Sequence, residues 1–292
     1  MPPSFFRTRS VRVPDPDGRP LWCGSYPPMS ESSAARILQD GHPDDLILEE
    51  PLRITAGGGE VLTMRTPGAD EVLALGFLLS EGVLDGLHQV VGTTFVPADP
   101  AARLPATLQV TLAGVDASRL RGRLTRTHEI RPSCGACGLV DAETLLDEAK
   151  PVLRGVPRLD PARIHALRTD FEARQVTFHR TGACHGAAIY AEDGSLLGFG
   201  EDVGRHNALD KAIGHAARAG AIFQRSVALL SGRAGYDLVL KCLRLGIPAI
   251  LSVSAPSALA FDLCQAAGST LIGFLRADRM KVYVDDGRVT DA

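Results

Sequence analysis

The sequence predicts an α/β protein with a mostly parallel sheet in its second half and a smaller α/β unit ahead of it. Three observations carry that expectation. From about residue 205 to 274, short apolar runs alternate with amphipathic helical stretches, the pattern of βαβ crossovers. From 46 to 111 the chain reads as a hairpin turned on Gly57-Gly58-Gly59, one helix and two more strands. A 45% share of hydrophobic residues in 292 is ample for a full-sized core.

In chain order, residues 1 to about 42 are rich in Pro, Ser and Arg and read as a loosely held arm, with Cys23 beside Trp22 as incidental packing. Leu46 to Thr55 and Glu60 to Thr66 form the hairpin. Asp70 opens a helix through Leu79, with Val72, Leu73, Leu75, Leu78 and Leu79 apolar and Glu81-Gly82 closing it. Strands follow at Val90 to Val96 and Ala106 to Thr111, so the small unit spans 43–117. Residues 118–138 are an arginine-rich loop, and 139–292 the larger domain. There Asp141 is expected to cap a helix, with Val140 and Leu145 as its hydrophobic staple and Leu146 and Ala149 beyond. Asp160 and Pro161 start a second helix through Ile164, Leu167 and Phe171. Asp193-Gly194-Ser195 turns a pair of strands ending at Phe199. The regular part then runs helix 205–219, strand 226–230, helix 236–245, strand 249–253, helix 257–267 and strand 270–274, with Met280 to Val284 as an edge strand.

Composition excludes some classes of partner. A net charge of -3 gives no global attraction to nucleic acid or anionic lipid. No run approaches the roughly 18 apolar residues of a membrane span, and the first residues lack the form of a secretory leader. Six cysteines, at 23, 134, 137, 184, 242 and 264, are too sparse for a secreted disulfide framework, so a reducing cytoplasm is expected.

The chemistry concentrates in four places. Cys134 and Cys137 lie in Arg-Pro-Ser-Cys-Gly-Ala-Cys-Gly, a turn that can put both thiols on one side. Arg119, Arg121, Arg123, Arg126, Arg131 and His128 precede them, and positive charge favours thiolate. Spacing alone leaves three readings of the pair: a zinc site completed by His128, Cys184 or His185, a redox dithiol, or a sulfur-carrying nucleophile. Second, Ser231-Gly232-Arg233 and Ser252 to Ser257 are strand-to-helix turns of the kind that bind phosphate. Third, Phe274 to Arg279 leaves the last crossover strand with a ring and two guanidiniums, suited to a purine and phosphate. Fourth, Glu201 to Lys211 is dense in polar residues at a helix start, with His206 and Asn207 as candidates to orient a ligand or a proton, and His185 as a similar candidate. Walker, zincin and nucleophile-elbow motifs are missing.

Together, Glu49-Glu-Pro-Leu52, Met64-Arg-Thr-Pro-Gly68, Leu75-Gly-Phe-Leu78, Ser133-Cys-Gly-Ala-Cys-Gly138, Glu201 through Lys211, Ser231-Gly-Arg233, Ser254-Ala-Pro-Ser257 and Gly273-Phe-x-Arg-x-x-Arg279 resemble the FdhD family of formate dehydrogenase accessory sulfurtransferases. The resemblance runs in order from about 45 to 285. It implies a cytidine deaminase-like three-layer fold for the larger domain, and a cytoplasmic, homodimeric protein. Such a protein takes persulfide sulfur from a cysteine desulfurase and sulfurates the bis-guanylyl molybdenum cofactor, Mo-bis(molybdopterin guanine dinucleotide), needed for formate dehydrogenase activity. By position Cys134 matches the persulfide cysteine and Cys137 its partner thiol. Phe274, Leu275, Arg276, Ala277, Asp278 and Arg279 match the cofactor-contacting segment, for which GDP-like nucleotides are partial mimics. Ser231, Gly232, Arg233, His206 and Asn207 are added as cofactor contacts, and no metal ligands are assigned. One departure is Cys184 before His185, read as an idle substitution. The alternatives are a cofactor-binding chaperone that moves no sulfur and a zinc-binding deaminase-like protein. Neither membrane nor nucleic acid is expected as a partner.

Overall fold

A computed structural model describes residues 32–39, 42–116, 120, 124, 146–147 and 149–290. The dithiol, the arginines and histidine before it and the helix expected at Asp141 lie outside the described residues. Among the described residues the first elements are β1 (Ser33–Ile37) and β2 (Pro43–Ile47), an antiparallel hairpin. β1 falls in the stretch read as an arm, where no strand was expected. Then come β3 (Glu50–Ala56), β4 (Gly59–Arg65), α1 (Asp70–Ser80), β5 (Val90–Val96) and β6 (Ala106–Leu112), within two residues of the expected bounds apart from the start of β3. These four strands form one sheet in the order β4-β3-β6-β5. Leu52, Ile54 and Ala56 of β3 and Ala106, Leu108 and Val110 of β6 alternate inward, as period-two patterning requires.

The second half contains α2 (Pro161–Arg174), α3 (Val176–Thr181), β7 (His185–Tyr190), β8 (Leu196–Asp202), α4 (Arg205–Arg218), β9 (Val227–Leu230), α5 (Tyr236–Arg244), β10 (Ala249–Ser252), α6 (Ala258–Ala267), β11 (Thr270–Gly273) and β12 (Lys281–Val284). Asp160 caps α2 by accepting from Arg163 N at 2.8 Å, with Pro161 in the first turn. Ser257 caps α6 in the same way through Ala260 N. The six strands form one sheet in the order β12-β11-β10-β9-β7-β8.

The expectation of a mostly parallel sheet needs correction. Within this six-stranded sheet only β9, β10 and β11 pair in parallel, while β7, β8 and β12 join through antiparallel pairings. The reason is connection length. β7 and β8 are joined by the tight Asp193-Gly194 turn, and β12 follows β11 with no helix between them, so both must reverse direction. Helices cover both faces. Ala187, Ile189, Ala228 and Ile250 pack with α1, α4, α5 and α6, whereas Ala188, Tyr190, Leu229 and Leu251 pack with Ile164, Leu167 and Phe171 of α2.

The first of these clusters continues without a break into the four-stranded sheet through α1. α1 and α4 cross backbone against backbone. A Cβ built on Gly76 would lie 1.7 Å from the Asp210 carbonyl oxygen, and one on Gly214 would lie 1.9 Å from that of Val72. Overpacking costs typically about 1–3 kcal/mol, and because the obstacles here are main chain the upper end applies. Gly214→Ala is therefore expected to destabilise by at least about 2 kcal/mol net of its gain in helix propensity. A denaturation midpoint equal to wild type would refute the contact.

Around this crossing lies a buried charge cluster. Lys241 Nζ of α5 donates to Ser80 Oγ and to both Asp210 carboxylate oxygens at 2.9 Å, and reaches Glu81 at 2.8 Å, which Arg244 also pairs. Burial alone would neutralise the ammonium, but Asp210 and Glu81 push its pKa above the ordinary lysine value. A second tie is Lys211 with Asp202, which in turn accepts from Thr66 N.

Candidate functional site

The carboxyl ends of β9, β10 and β11 point the same way, so the loops that follow them meet at one rim. Hydrogen bonds knit these loops together. Ser252 Oγ donates to Gly232 O at 2.6 Å, Ala234 N to Ala255 O at 3.2 Å and Ser257 N to Ala234 O at 3.1 Å. Phe274 N donates to Ser254 O, and Leu275 N to Ser252 O. Arg276 Nη1 reaches back to Val253 O at 2.6 Å, and its N–H bonds Arg279 O. The structure thus brings together the three turns that the sequence singled out separately.

Glycine is required at Gly273, where a Cβ would come within 3.0 Å of Ser254 O and of the Pro256 ring. The next residue, Phe274, holds φ at 49°, a left-handed conformation that costs a residue with a Cβ about 1 kcal/mol or more. Phe274 as a whole is 44% exposed, which leaves its ring open to a planar group. Leu275 beside it is fully buried in the α2 cluster, so only its backbone remains for a ligand. Arg276, Ala277, Asp278 and Arg279 are exposed.

The polar stretch at the start of α4 divides in two. Asn207 is buried, and its amide donates to Met64 O and Asp202 Oδ1 while accepting from Thr63 Oγ1. That side chain fixes β4 to α4 and is committed away from the rim. His206 Nε2 pairs with Asp237 Oδ2 in the first turn of α5, and Arg205 Nη2 reaches the same oxygen at 3.2 Å. Burial raises the Asp237 carboxyl, but the His206 bond and the charges of His206 and Arg205 hold it well below the usual carboxylate range. Sequence reasoning missed Asp237 and Arg205 as site residues, since nothing in the spacing joins positions 206 and 237.

His185 begins β7 against the β9 turn. A Cβ on Gly232 would lie 3.3 Å from His185 Nδ1. Ser231 is engaged there as well, its N–H bonding Gly186 O and its hydroxyl accepting from Gly186 N. Burial lowers the His185 pKa, and Arg205, His206 and Arg233 lower it further, with Asp202 opposing. Cys184 points elsewhere and donates to Glu201 Oε1 at 3.3 Å, and burial with that carboxylate pushes its thiol far up. A thiol so held is a poor nucleophile or metal ligand.

The described flanks of the dithiol segment are packed. Leu120 sits over Gly57 and Leu124 over Gly59, positions where a Cβ would fall 2.3 and 2.5 Å from their methyl carbons. Beyond the segment, Leu146 and Ala149 pack on the main core, and Lys150 N donates to Leu243 O.

Fold and site define an α/β protein of mixed sheet, with interlocked, arginine-bearing loops gathered at the carboxyl ends of its parallel strands. The FdhD/NarQ family model matches residues 47–290. The chain belongs to that family. It is 41% identical over 263 residues to the sulfur carrier protein FdhD of Streptomyces avermitilis, covering 86% of this chain and 93% of that one. It is likewise 41% identical over 268 residues to that of Anaeromyxobacter dehalogenans, covering 87% and 92%. A crystal structure from Desulfotalea psychrophila, provisionally described as a formate dehydrogenase accessory protein, shares the fold with a TM-score of 0.66 at 24% identity, over 88% of this chain and 98% of that one.

Proposed function

We propose that this chain is a sulfur carrier in formate dehydrogenase maturation. The Cys134 thiolate attacks the outer sulfur of a cysteine desulfurase persulfide. A new S–S bond forms, the donor's S–S bond breaks, and its electron pair leaves on the desulfurase thiolate. The Cys137 thiolate then attacks the inner sulfur of the Cys134 persulfide. A Cys134–Cys137 disulfide forms, the bond to the outer sulfur breaks, and that sulfur leaves with the electron pair as sulfide onto Mo-bis(molybdopterin guanine dinucleotide). A cellular thiol reductant afterwards reopens the disulfide. The cofactor is bound as substrate, its guanine on Phe274 to Arg279 and its diphosphate by the Ser231 to Arg233 turn. The carrier works as a cytoplasmic homodimer alongside formate dehydrogenase, and among the described residues no helix is long and apolar enough to cross a membrane.

The observation that carries this reading is the knitted rim. Three consecutive parallel strands present an exposed ring and arginines at the place where open α/β sheets bind nucleotides, in a chain whose relatives are called sulfur carriers.

The two arginines test it differently. Arg276 also latches two loops through Val253 O, so its removal disturbs the rim. Arg279 lends only its backbone carbonyl to that network among the described residues, so Arg279→Ala is the cleaner probe. Losing a charge-assisted bond of about 1.5–3 kcal/mol should weaken GDP binding about tenfold or more by calorimetry. Unchanged GDP affinity in Arg279→Ala and Phe274→Ala together would remove the guanine site.

A further inference from the structure

Arg205, His206, His185 and Arg233 converge from α4, β7 and the β9 turn onto one patch beside Gly232, and the carboxylate that pairs within this group is Asp237. Asp237 is shared by Arg205 and His206. Arg233 is exposed and makes no side-chain bond among the described residues. Asp202 also faces this group but is paired with Lys211. Two guanidiniums therefore have the single carboxylate of Asp237 between them and leave positive charge uncompensated, a crowding that costs free energy unless an anion joins it. α4 and α5 both start at this patch, at Gly204 and Gly235, and neither cap residue supplies a side-chain bond to its helix. The α4 end adds to the same field, while the α5 end is partly met by Asp237, whose Oδ1 accepts from Leu238 N.

We propose that His185, Arg205 and Arg233 form a receiving site for a phosphate-class dianion of the kind a diphosphate carries, with Asp237 and His206 acting as positioning residues that hold Arg205 in place. This deepens the cofactor-binding reading above and rests on it for the identity of the natural ligand. Forked guanidiniums suit phosphate oxygens better than the point charge of an ammonium does. A dianion set among these groups also reverses the field on His185. With Arg205, His206 and Arg233 offset, the ring regains affinity for a proton, opposed only by its burial and already favoured by Asp202. Binding near neutral pH is then accompanied by proton uptake.

Calorimetry of the full chain with inorganic pyrophosphate and with GDP, each in two buffers of different ionisation enthalpy, tests the proposal. Wild type is expected to bind pyrophosphate with net proton uptake. Arg233→Ala is expected to bind it about tenfold more weakly, the loss of one charge-assisted contact, and His185→Gln is expected to bind it without uptake. Phe274→Ala, by contrast, should weaken GDP and leave pyrophosphate unchanged. Pyrophosphate that does not bind, or that binds to Arg233→Ala as to wild type, overturns the proposal, as does uptake that persists in His185→Gln. GDP binding that responds to Phe274→Ala and ignores Arg233→Ala and His185→Gln overturns the anion site while sparing the guanine site. Pyrophosphate that behaves as expected while GDP binds no tighter supports the anion site and removes the guanine site.

Discussion

Cys134→Ala is expected to abolish activation of formate dehydrogenase and to leave the purified protein folded. The loss should be complete rather than graded, because the variant lacks the atom to which the sulfane sulfur is joined, and Cys137, the releasing thiol, cannot act as acceptor and releaser at once. Cys184, Cys242 and Cys264 are no substitutes. All three are buried, and burial pushes each thiol up, Cys264 to about 12, so the thiolate needed for attack is scarce. Mass spectrometry after incubation with a desulfurase and cysteine should show one added sulfur atom on Cys134 in wild type and none elsewhere in the variant. A variant that activates the enzyme as wild type does would refute the assignment. Labelled sulfur that never reaches this chain would leave a cofactor chaperone in its place.

Lys241→Met is expected to cost about 3–5 kcal/mol, the usual penalty for removing one partner of a buried ion pair. Asp210 is 1% exposed, and its remaining partner would be the Ser80 hydroxyl at 2.6 Å. The carboxylate would have to stay charged without its cation or take up a proton, and either course is unfavourable. Urea denaturation at pH 7 measures the loss, and a change below about 1 kcal/mol would mean that the cluster is solvated. Replacing Asp210 by leucine in the same background should recover part of the stability, since an apolar pair removes the orphaned charge. Glu81 gives the cluster a pH signature. Burial raises its pKa, but Lys241 and Arg244 outweigh burial and depress it. Its contribution is thus present above the unfolded carboxylate value of about 4.3 and is lost as pH falls through the lower folded value.

Much of the second half was legible because punctuation and period agreed. Asp160-Pro161 and Ser257 mark helix starts with residues whose capping geometry the structure shows, and short apolar runs mark the buried strands. Strand direction was less legible, because an apolar run carries no sign of its partner. β7 reads alike whether it pairs in parallel or antiparallel, and only the shortness of its link to β8 settles that pairing. α3 escaped notice because it is six residues long with Thr177 alone buried, too short to show a period. At the site, polar density between 201 and 211 signalled importance without dividing the labour. Asn207 serves β4, 143 residues away, and His206 serves Asp237, so which of the two faces the rim depends on tertiary packing.

The contact of α1 with α4 at Gly76 and Gly214 bears on how donor and acceptor can meet. Two main chains pressed together at two points, with a salt-linked lysine buried beside them, act as a weld between the sheets. Such a weld opposes a clamshell closing of one sheet over the other. On the proposed function the rim would be a rigid bench for the cargo, and sulfur would reach it by something other than a swing of the two halves.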